Sequence, residues 1–452
     1  MNLLTHIKKN FSISFPVAIG QIAKSATTIV NNIMIGSLGS IALGAIGLAN
    51  SVFFIVMIFV IGVASSISPL LAQADALQNK KEGMAILQHG LVISFFLSLF
   101  MYLIIRIFIC IFHYLNQPED VVYQAISFLK IISISLIPWG IYETLRKFAE
   151  GLSLTTPGML VTWISVIVNL IFNYLFIYGK CGFPRLGIIG AAYGTLISRI
   201  VLLIALAFIL KRYQKVQEYY KEFNYTVFQS KYFKQIFYIG VPTGLQMLFE
   251  VGTFTVASFI VGLSDKNKLA AHHISINFVS ITYMMCIALS VAATIRISNK
   301  KKIKNYMEIR KISLSVFFIV GIFVFICMIL FIFLHKYLPA FFIKKDDLVT
   351  YRIASKLMVI GAFIQIFNGL QAVAMSSLRG IQDVNVPMWI TFFSYWILAI
   401  PLAWFLALKR GMGVFGVWTG IGIGLTISTT LLIIRFFIKT KTVIHNTSHI
   451  KK

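Results

Sequence analysis

Charged residues are scarce in this chain: they make up 12% of its 452 residues, against about 25% in soluble globular proteins. Apolar residues reach 58%, and the mean hydropathy is +0.87. A water-soluble fold of this length cannot bury so large an apolar surplus. The composition therefore excludes soluble enzymes, DNA-binding proteins and disordered chains, and it indicates a protein dissolved in a lipid bilayer.

Acidic residues and cysteines are also few. The chain has 14 acidic and 40 basic residues, and the basic ones gather between apolar runs, where cytoplasmic anchoring is the usual cause. We therefore expect no nucleic-acid partner. Its four cysteines form no Cys-x-x-Cys pair, so neither a metal site nor a disulfide framework is indicated. The sequence lacks a P-loop motif, so we expect no direct use of ATP and no cofactor.

Runs of about 20 apolar residues are long enough to cross a bilayer as helices. They predict an all-α integral membrane protein with about twelve transmembrane helices. The second run is long for a single crossing, so we expect that helix to tilt or project. The predicted spans are 12–36, 41–74, 85–113, 121–149, 158–179, 186–210, 235–262, 268–297, 312–336, 350–377, 386–408 and 413–438.

The basic residues also predict an orientation. They are denser in the even-numbered loops, for example at Lys80 and Lys81 and across 211–234, than in the odd-numbered ones. The bias predicts that both termini are cytoplasmic. No cleavage pattern follows the first apolar run, so we expect a retained first helix. Because the composition is rich in Lys, Ile and Phe, we expect a protein of the bacterial cytoplasmic (inner) membrane.

The chain repeats itself after a shift of 226 residues. Pro16 then coincides with Pro242, and Gly187-x-x-Gly190-x-x-x-Gly194 coincides with Gly413-x-x-Gly416-x-x-x-Gly420. Parallel repeats of this kind are typical of alternating-access transporters. Because one chain supplies both halves, we expect a monomer. The predicted parts are an N-terminal six-helix lobe 1–210, a cytoplasmic linker 211–234, a C-terminal six-helix lobe 235–438 and a basic tail 439–452.

Two carboxylates are candidates for binding a coupling ion. Glu250 lies in the middle of the seventh span with no basic residue within a turn. Burial in a bilayer disfavours its charged form, which suits reversible binding of a proton or cation. The alternative is a structural pair with a basic residue on another helix. Asp383 follows the tenth span, and its spacing alone also fits a solvated loop carboxylate or a helix cap.

Lys24 lies near the middle of the first span, opposite Glu250 under the 226-residue shift. It is predicted to be a tethered cation that pairs with a buried carboxylate or replaces a bound cation. The alternative is a lysine that snorkels to the headgroups. Thr28 and Asn31 share its helix face. Asn169 and Asn173, one turn apart, offer either cation ligands or hydrogen bonds between helices.

Several motifs resemble the multidrug and toxic compound extrusion (MATE) family, in its NorM-like branch. The resemblance covers nearly the whole chain. It is carried by Pro16-x-x-x-Gly20-Gln21, Asn31-Asn-Ile-Met-Ile-Gly-Ser-Leu-Gly39, Gly240-Val-Pro-Thr-Gly-Leu-Gln246, Phe249-Glu-Val-Gly252 and Leu378-Arg-Gly-Ile-Gln-Asp383.

The resemblance implies a cation-coupled antiporter, driven by Na+ or H+, that exports amphipathic and mostly cationic small molecules. It implies two six-helix bundles arranged as a V in contact with membrane lipids. By the same resemblance, Glu250 and Asp383 match cation-coupling carboxylates of the C-terminal lobe. Asn169, Asn173 and Thr195 match polar residues of the N-terminal lobe's cation site.

The chain departs from the family pattern at Asn31, where the family has an aspartate. An asparagine offers a carbonyl oxygen but neither binds a proton nor carries charge. We therefore hypothesise that the N-terminal lobe has lost its cation site, that Lys24 partly replaces the ion, and that coupling depends on Glu250 and Asp383. The alternative function is a flippase for lipid-linked sugars or related amphipathic precursors. Lys24 favours this alternative, and the two carboxylate motifs oppose it. A catalytic constellation inside the bilayer is not evident, so no enzyme is expected.

Overall fold

The computed structural model describes residues 3–111, 118–224, 229–263, 265–341 and 347–449. Regular structure in these segments is helical throughout, and twelve helical stretches are long and apolar enough to cross a membrane. Large apolar side chains such as Phe96, Ile167 and Phe325 remain exposed, as on a surface that contacts lipid. The predicted all-α architecture with twelve spans is confirmed.

Within the described part of the first half, the structure has nine α-helices. The first begins at Leu3 rather than at the predicted residue 12, because the polar residues before the apolar run continue the same helix. The helices are α1 (Leu3–Gly36), α2 (Ser40–Ala64), α3 (Ile67–Ala76), α4 (Lys80–Ile111), α5 (Glu119–Ile132), α6 (Leu136–Gly151), α7 (Thr156–Tyr178), α8 (Ile188–Lys211) and α9 (Gln214–Tyr220).

Among the described residues of the second half, there are seven α-helices. The eleventh span is irregular, since π-helical turns at Phe393–Ala399 and Phe405–Lys409 flank its short central helix. The helices are α10 (Ser230–Gly262), α11 (Lys266–Lys302), α12 (Tyr306–Leu334), α13 (Leu348–Gly380), α14 (Asn385–Phe392), α15 (Ile400–Trp404) and α16 (Val414–His449).

The long second span is interrupted between α2 and α3. Ser65 Oγ donates to the Ile61 carbonyl at 2.8 Å, and Ser66 Oγ donates to the Val63 carbonyl at 2.8 Å. Hydroxyls that bond back to their own helix compete with its regular hydrogen bonding and bend it. Pro69, in the first turn of α3, is tolerated there because the amides of a first turn lack intrahelical partners. The extra length of this span is therefore taken up by a break.

The repeated glycine motif performs the same task in both halves. Gly187 precedes α8 with φ +56°, and Gly413 precedes α16 with φ +57°, a backbone conformation that favours glycine. A Cβ on Gly190 would lie 2.6 Å from the Phe176 backbone, and one on Gly420 would lie 2.5 Å from the Ala403 nitrogen. The motif thus brings neighbouring helices into close contact, as small residues do between membrane helices.

The chain divides into two compact units. Unit A is Ile19–Gly244, and unit B combines Met1–Ala18 with Leu245–Lys452. The divisions fall within α1 and α10 rather than in the segment 211–234. That segment contains α9, which is fixed within unit A because Lys215 Nζ lies 2.9 Å from Asp75 Oδ2. The lobes, linker and tail remain predictions, and residues 225–228 and 450–452 lie outside the described segments.

Candidate functional site

Four of the predicted polar residues of the N-terminal half meet inside unit A. Asn173, on α7, donates from Nδ2 to Asn31 Oδ1 on α1 at 2.7 Å and to Asn169 Oδ1 at 3.2 Å. Asn169 Nδ2 in turn lies 3.5 Å from the hydroxyls of Thr195 and Ser198 on α8. These five residues form what we call the amide cluster. It joins three helices and is largely buried.

One oxygen of the amide cluster has no hydrogen-bond donor. Asn173 Oδ1 is buried and unpartnered among the described residues. Gly194 leaves room for it, since a Cβ there would collide with this oxygen. The members of the cluster are neutral amides and hydroxyls. Such a cluster offers oxygen ligands but no charge, which agrees with the hypothesis of a lost cation site and leaves that hypothesis untested.

The Lys24 side chain contacts a buried carboxylate and not the amide cluster. Its Nζ lies 3.6 Å from Glu143 Oε1 on α6, and 5.1 Å from the centre of the Trp139 ring. Glu143 is fully buried. Lys24 therefore lies at ion-pair distance from a buried carboxylate of another helix, and its role in transport stays a prediction. Thr28 Oγ1 bonds to the Lys24 carbonyl at 3.2 Å and does not join the amide cluster.

Glu143 belongs to a larger set of charges, which we call the charge network. Arg146 Nη2 lies 2.7 Å from Glu143 Oε2, and Arg146 Nη1 lies 3.5 Å from Glu150 Oε1. Lys147 Nζ lies 2.6 Å from Glu150 Oε2. With Lys24, the network contains three cations and two carboxylates. Glu143 and Arg146 are three residues apart on α6, the spacing at which side chains meet on one helix face.

In unit B, Glu250 lies in the interior on α10 with 6% of its surface exposed. The Tyr283 hydroxyl, on α11, is a neighbouring polar group that acts on this carboxylate. Its Oε1 oxygen has no partner within the described part of the chain. Beside it, Trp396 Nε1 donates to the Phe249 carbonyl at 3.0 Å and fixes the eleventh span to α10. A buried carboxylate with a free oxygen is suited to take up a proton or a cation.

Sequence reasoning missed three amides on α13. Gln365, Asn368 and Gln371 are buried and lie three residues apart, so they follow one side of the helix. Gln371 accepts a hydrogen bond from Tyr395 at 2.8 Å and donates to Ser428 at 3.3 Å. Both amide atoms of Gln365 and Oδ1 of Asn368 have no partner among the residues described. The regular spacing of three amides in an apolar span was a signal that the sequence already contained.

Asp383 does not share a site with Glu250. It follows α13, where its carboxylate binds Arg435 of α16 through Nε at 2.8 Å and Nη2 at 3.4 Å. Its neighbour Gln382 accepts from Lys301 Nζ at 2.9 Å. Lys301 lies 18 residues after Tyr283 on α11, which is about 27 Å along a helix. The two carboxylates are therefore at different levels. The Asp383 side chain is 14% exposed, and the N-cap residue of α14 is Val384.

The comparisons with known proteins agree with this fold. A family model described as MatE matches residues 16–175 and again 242–405. "Probable multidrug resistance protein NorM" of Acinetobacter baylyi is 28% identical over 436 residues, covering 95% of this chain and 96% of the relative. "Multidrug resistance protein MdtK" of Photorhabdus laumondii is 28% identical over 442 residues, covering 96% and 95%.

Solved structures have the same fold. An outward-facing multidrug resistance MATE family transporter of the MOP superfamily superposes with a TM-score of 0.89 at 17% identity, covering 97% of each chain. The eukaryotic MATE transporter AtDTX14 gives 0.88 at 18% identity, covering 98% of this chain and 99% of that one. The two family matches begin 226 residues apart, which is the shift of the internal repeat. The chain therefore belongs to the MatE family, whose members are membrane transporters and not enzymes, as the sequence predicted.

Proposed function

We propose that this chain exports small amphipathic molecules from a bacterial cell by alternating access, in exchange for an inward flow of Na+ or H+. The observation that carries the proposal is Glu250, a buried carboxylate in the middle of a span, with one oxygen that no described residue hydrogen-bonds. The names of the relatives, which are multidrug resistance proteins, support the export of varied compounds. The same names do not favour the alternative of a flippase for lipid-linked sugars.

The coupling role of Glu250 follows from its surroundings. Tyr283 is its neutral polar neighbour, and Arg379 is the basic residue whose charge acts on it. A charged carboxylate in this position is costly unless a cation or proton neutralises it. Binding and release of that ion would then change which conformation is favoured, because the ion binds the two states unequally.

Asp383 is a weaker candidate than Glu250 for binding the coupling ion. Its carboxylate is already neutralised by Arg435 through a two-point contact, which is the strong geometry for such a pair. We infer that Asp383 holds the end of α13 against α16. The unpartnered oxygens of Asn368 and Gln365 are better candidates for additional ion ligands in this half, since neutral amide oxygens suit hard cations.

The test is transport of a fluorescent cationic dye, ethidium, in proteoliposomes with a Na+ gradient or a pH gradient imposed separately. We expect one gradient to drive transport and Glu250→Gln to abolish it. Glu119→Gln, which removes an exposed carboxylate at the start of α5, is the matched control and should transport normally. Transport by Glu250→Gln at the wild-type rate under either gradient would overturn the coupling role.

The proposed setting is the cytoplasmic membrane, with both termini on the cytoplasmic side, a single chain as the working unit and lipids around it. The orientation is supported by the dense basic residues of the even-numbered loops. Reporter fusions at the C-terminus test it: a cytoplasm-active reporter should work and a periplasm-active one should not.

A further inference from the structure

Basic side chains are concentrated at the end of unit B where α11 ends and α12 begins. Lysines occupy positions 300–302, in the last turn of α11. Arg310 lies near the start of α12, and Lys439 lies near the end of the twelfth span, on α16. The uneven charge of membrane-protein loops accounts for the sign of this end, but it does not account for the convergence of three helices on one place.

Contacts between side chains bring these helix ends together. Arg310 Nε donates to Thr440 Oγ1 at 2.9 Å, which joins α12 to α16. Lys301 Nζ donates to Gln382 Oε1 at 2.9 Å, which joins α11 to the segment after α13. The charge of Lys439 also acts on Lys301. The ends of α11, α12 and α16 therefore meet in unit B.

Three lysines of this end, Lys301, Lys302 and Lys439, form what we call the basic cluster. Lys302 and Lys439 are exposed, and neither forms a hydrogen bond or an ion pair within the described segments. Lys301 uses one of its three N–H donors on Gln382 and keeps two. The cluster therefore has donors to offer to a ligand.

The basic cluster also has charge to offer. The charges of Lys302 and Lys439 both act on Lys301, although the three lysines belong to two different helices. Cations that approach one another in this way repel unless an anion lies among them. Asp383 acts on Lys301 as well, but Arg435 already neutralises this carboxylate at 2.8 Å. The arrangement is therefore suited to an anionic group from outside the chain.

Exposed aliphatic side chains border the basic cluster. Ile434 and Ile438, one turn apart on α16, are 48% and 55% exposed, and Ile438 directly precedes Lys439. Ile303, which follows α11, is also exposed. The acyl chains of a lipid would cover these isoleucines, whereas a phosphate ion dissolved in water would leave them bare. The combination of basic and aliphatic side chains therefore favours a lipid over a free anion.

We propose that the basic cluster binds the phosphate of an anionic phospholipid, whose acyl chains contact the exposed isoleucines. The ligand is a phosphodiester without a cation in its headgroup, such as phosphatidylglycerol. A zwitterionic headgroup adds an ammonium group that the lysines repel. The bound lipid bridges the ends of α11 and α16 and offsets the repulsion between them. This inference does not depend on the coupling role of Glu250.

Native mass spectrometry of the purified chain in detergent measures the Kd of the first bound lipid. The chain is titrated with dioleoyl phosphatidylglycerol and, separately, with dioleoyl phosphatidylcholine, which has the same acyl chains and a zwitterionic headgroup. We expect phosphatidylglycerol to bind about 20-fold more tightly, because each of two lysines near an anionic lipid contributes about fivefold. The double variant Lys302→Gln, Lys439→Gln should bind the two lipids with nearly equal Kd.

The double variant Lys409→Gln, Arg410→Gln is the matched control. It also removes two basic residues at the end of a span in unit B, just before α16 and far from Lys439 along that helix. It should keep the preference for phosphatidylglycerol. The double variant Lys302→Arg, Lys439→Arg keeps both charges, so it should keep the preference too, and it provides a readout if the glutamine variant does not fold.

Three results would overturn the proposal. The first is equal binding of the two lipids by wild type. The second is a preference that survives in Lys302→Gln, Lys439→Gln, or that falls as much in the control variant, because the attraction would then not be specific to this place. The third is competition by inorganic phosphate at constant ionic strength: phosphate that displaces phosphatidylglycerol indicates a site for a free anion, whereas a lipid site should leave the Kd of the lipid unchanged.

Discussion

Removal of the Glu143 carboxylate should destabilise the protein far more than removal of its partner Lys24. In Glu143→Gln, Arg146 and Lys24 lose the buried carboxylate that lies 2.7 and 3.6 Å from them, and only Glu150, at 3.5 Å from Arg146, remains. Loss of one partner from a buried pair costs about 3–5 kcal/mol, because an uncompensated charge stays behind.

In Lys24→Met, the Glu143 carboxylate keeps its two hydrogen bonds from Arg146, at 3.0 and 2.7 Å. Lys24 is also partly exposed, so we expect a cost of about 1 kcal/mol, as for other accessible ion pairs. The two substitutions remove opposite ends of one contact. Both variants lose the same contact, so the difference between their losses in unfolding free energy measures the effect of burial.

The assay is the free energy of unfolding by titration with sodium dodecyl sulfate in mixed micelles. Lys80→Met is the control, because Lys80 and Glu218 form a shorter pair at 2.8 Å but both are exposed; we expect no resolvable change. If Glu143→Gln and Lys24→Met cost the same, or if Lys80→Met matches Glu143→Gln, the reasoning from burial is wrong.

Three further predictions concern other parts of the molecule. Gly194→Ala should lower the unfolding free energy by about 1–3 kcal/mol in the same titration, because the added methyl collides with Asn173. Asn31→Asp should restore a charged ligand to the amide cluster, so Na+ should raise the melting temperature of this variant more than that of wild type. The Lys80 ammonium lowers the pKa of Glu218; the α9 segment should therefore exchange its amide hydrogens faster as the pH falls through that pKa.

Each of these has a control. Gly36→Ala, at a position with nothing within 4 Å of the added Cβ, should leave the unfolding free energy nearly unchanged. Replacement of Na+ by choline at equal ionic strength should remove the shift in Asn31→Asp. If Asn31→Asp changes nothing and Glu250→Gln also exports normally, the hypothesis of a lost cation site is wrong. In Lys80→Met, the pH dependence of α9 exchange should shrink, because the largest influence that lowers the pKa of Glu218 is gone; an unchanged profile would contradict the pairing.

The spans and the repeat could be predicted because they depend on properties local to the sequence. A bilayer requires long apolar helices, and the glycines at 187 and 413 are dictated by a left-handed backbone conformation. The break after α2 was missed because Ser65 and Ser66 act through their own helix carbonyls, which hydropathy does not register.

The site was predicted only in part, since its pairs join distant parts of the chain. The spacing of Asn169 and Asn173, one helical turn apart, was enough to predict that these two members of the amide cluster act together. The contact between Asp383 and Arg435 could not be predicted, because the two residues are 52 positions apart and no local pattern indicates that they meet.

The ion pair between Lys24 and Glu143 has a consequence for biogenesis. The partners are 119 positions apart in the sequence, so at about 5–20 residues per second the ribosome needs roughly 6–24 s to supply the carboxylate after the lysine. During that interval the first span, which is among the least apolar of the twelve, has an unneutralised ammonium near its middle. Nascent α1 should therefore remain beside the translocon until α6 emerges, and the two should enter the lipid together.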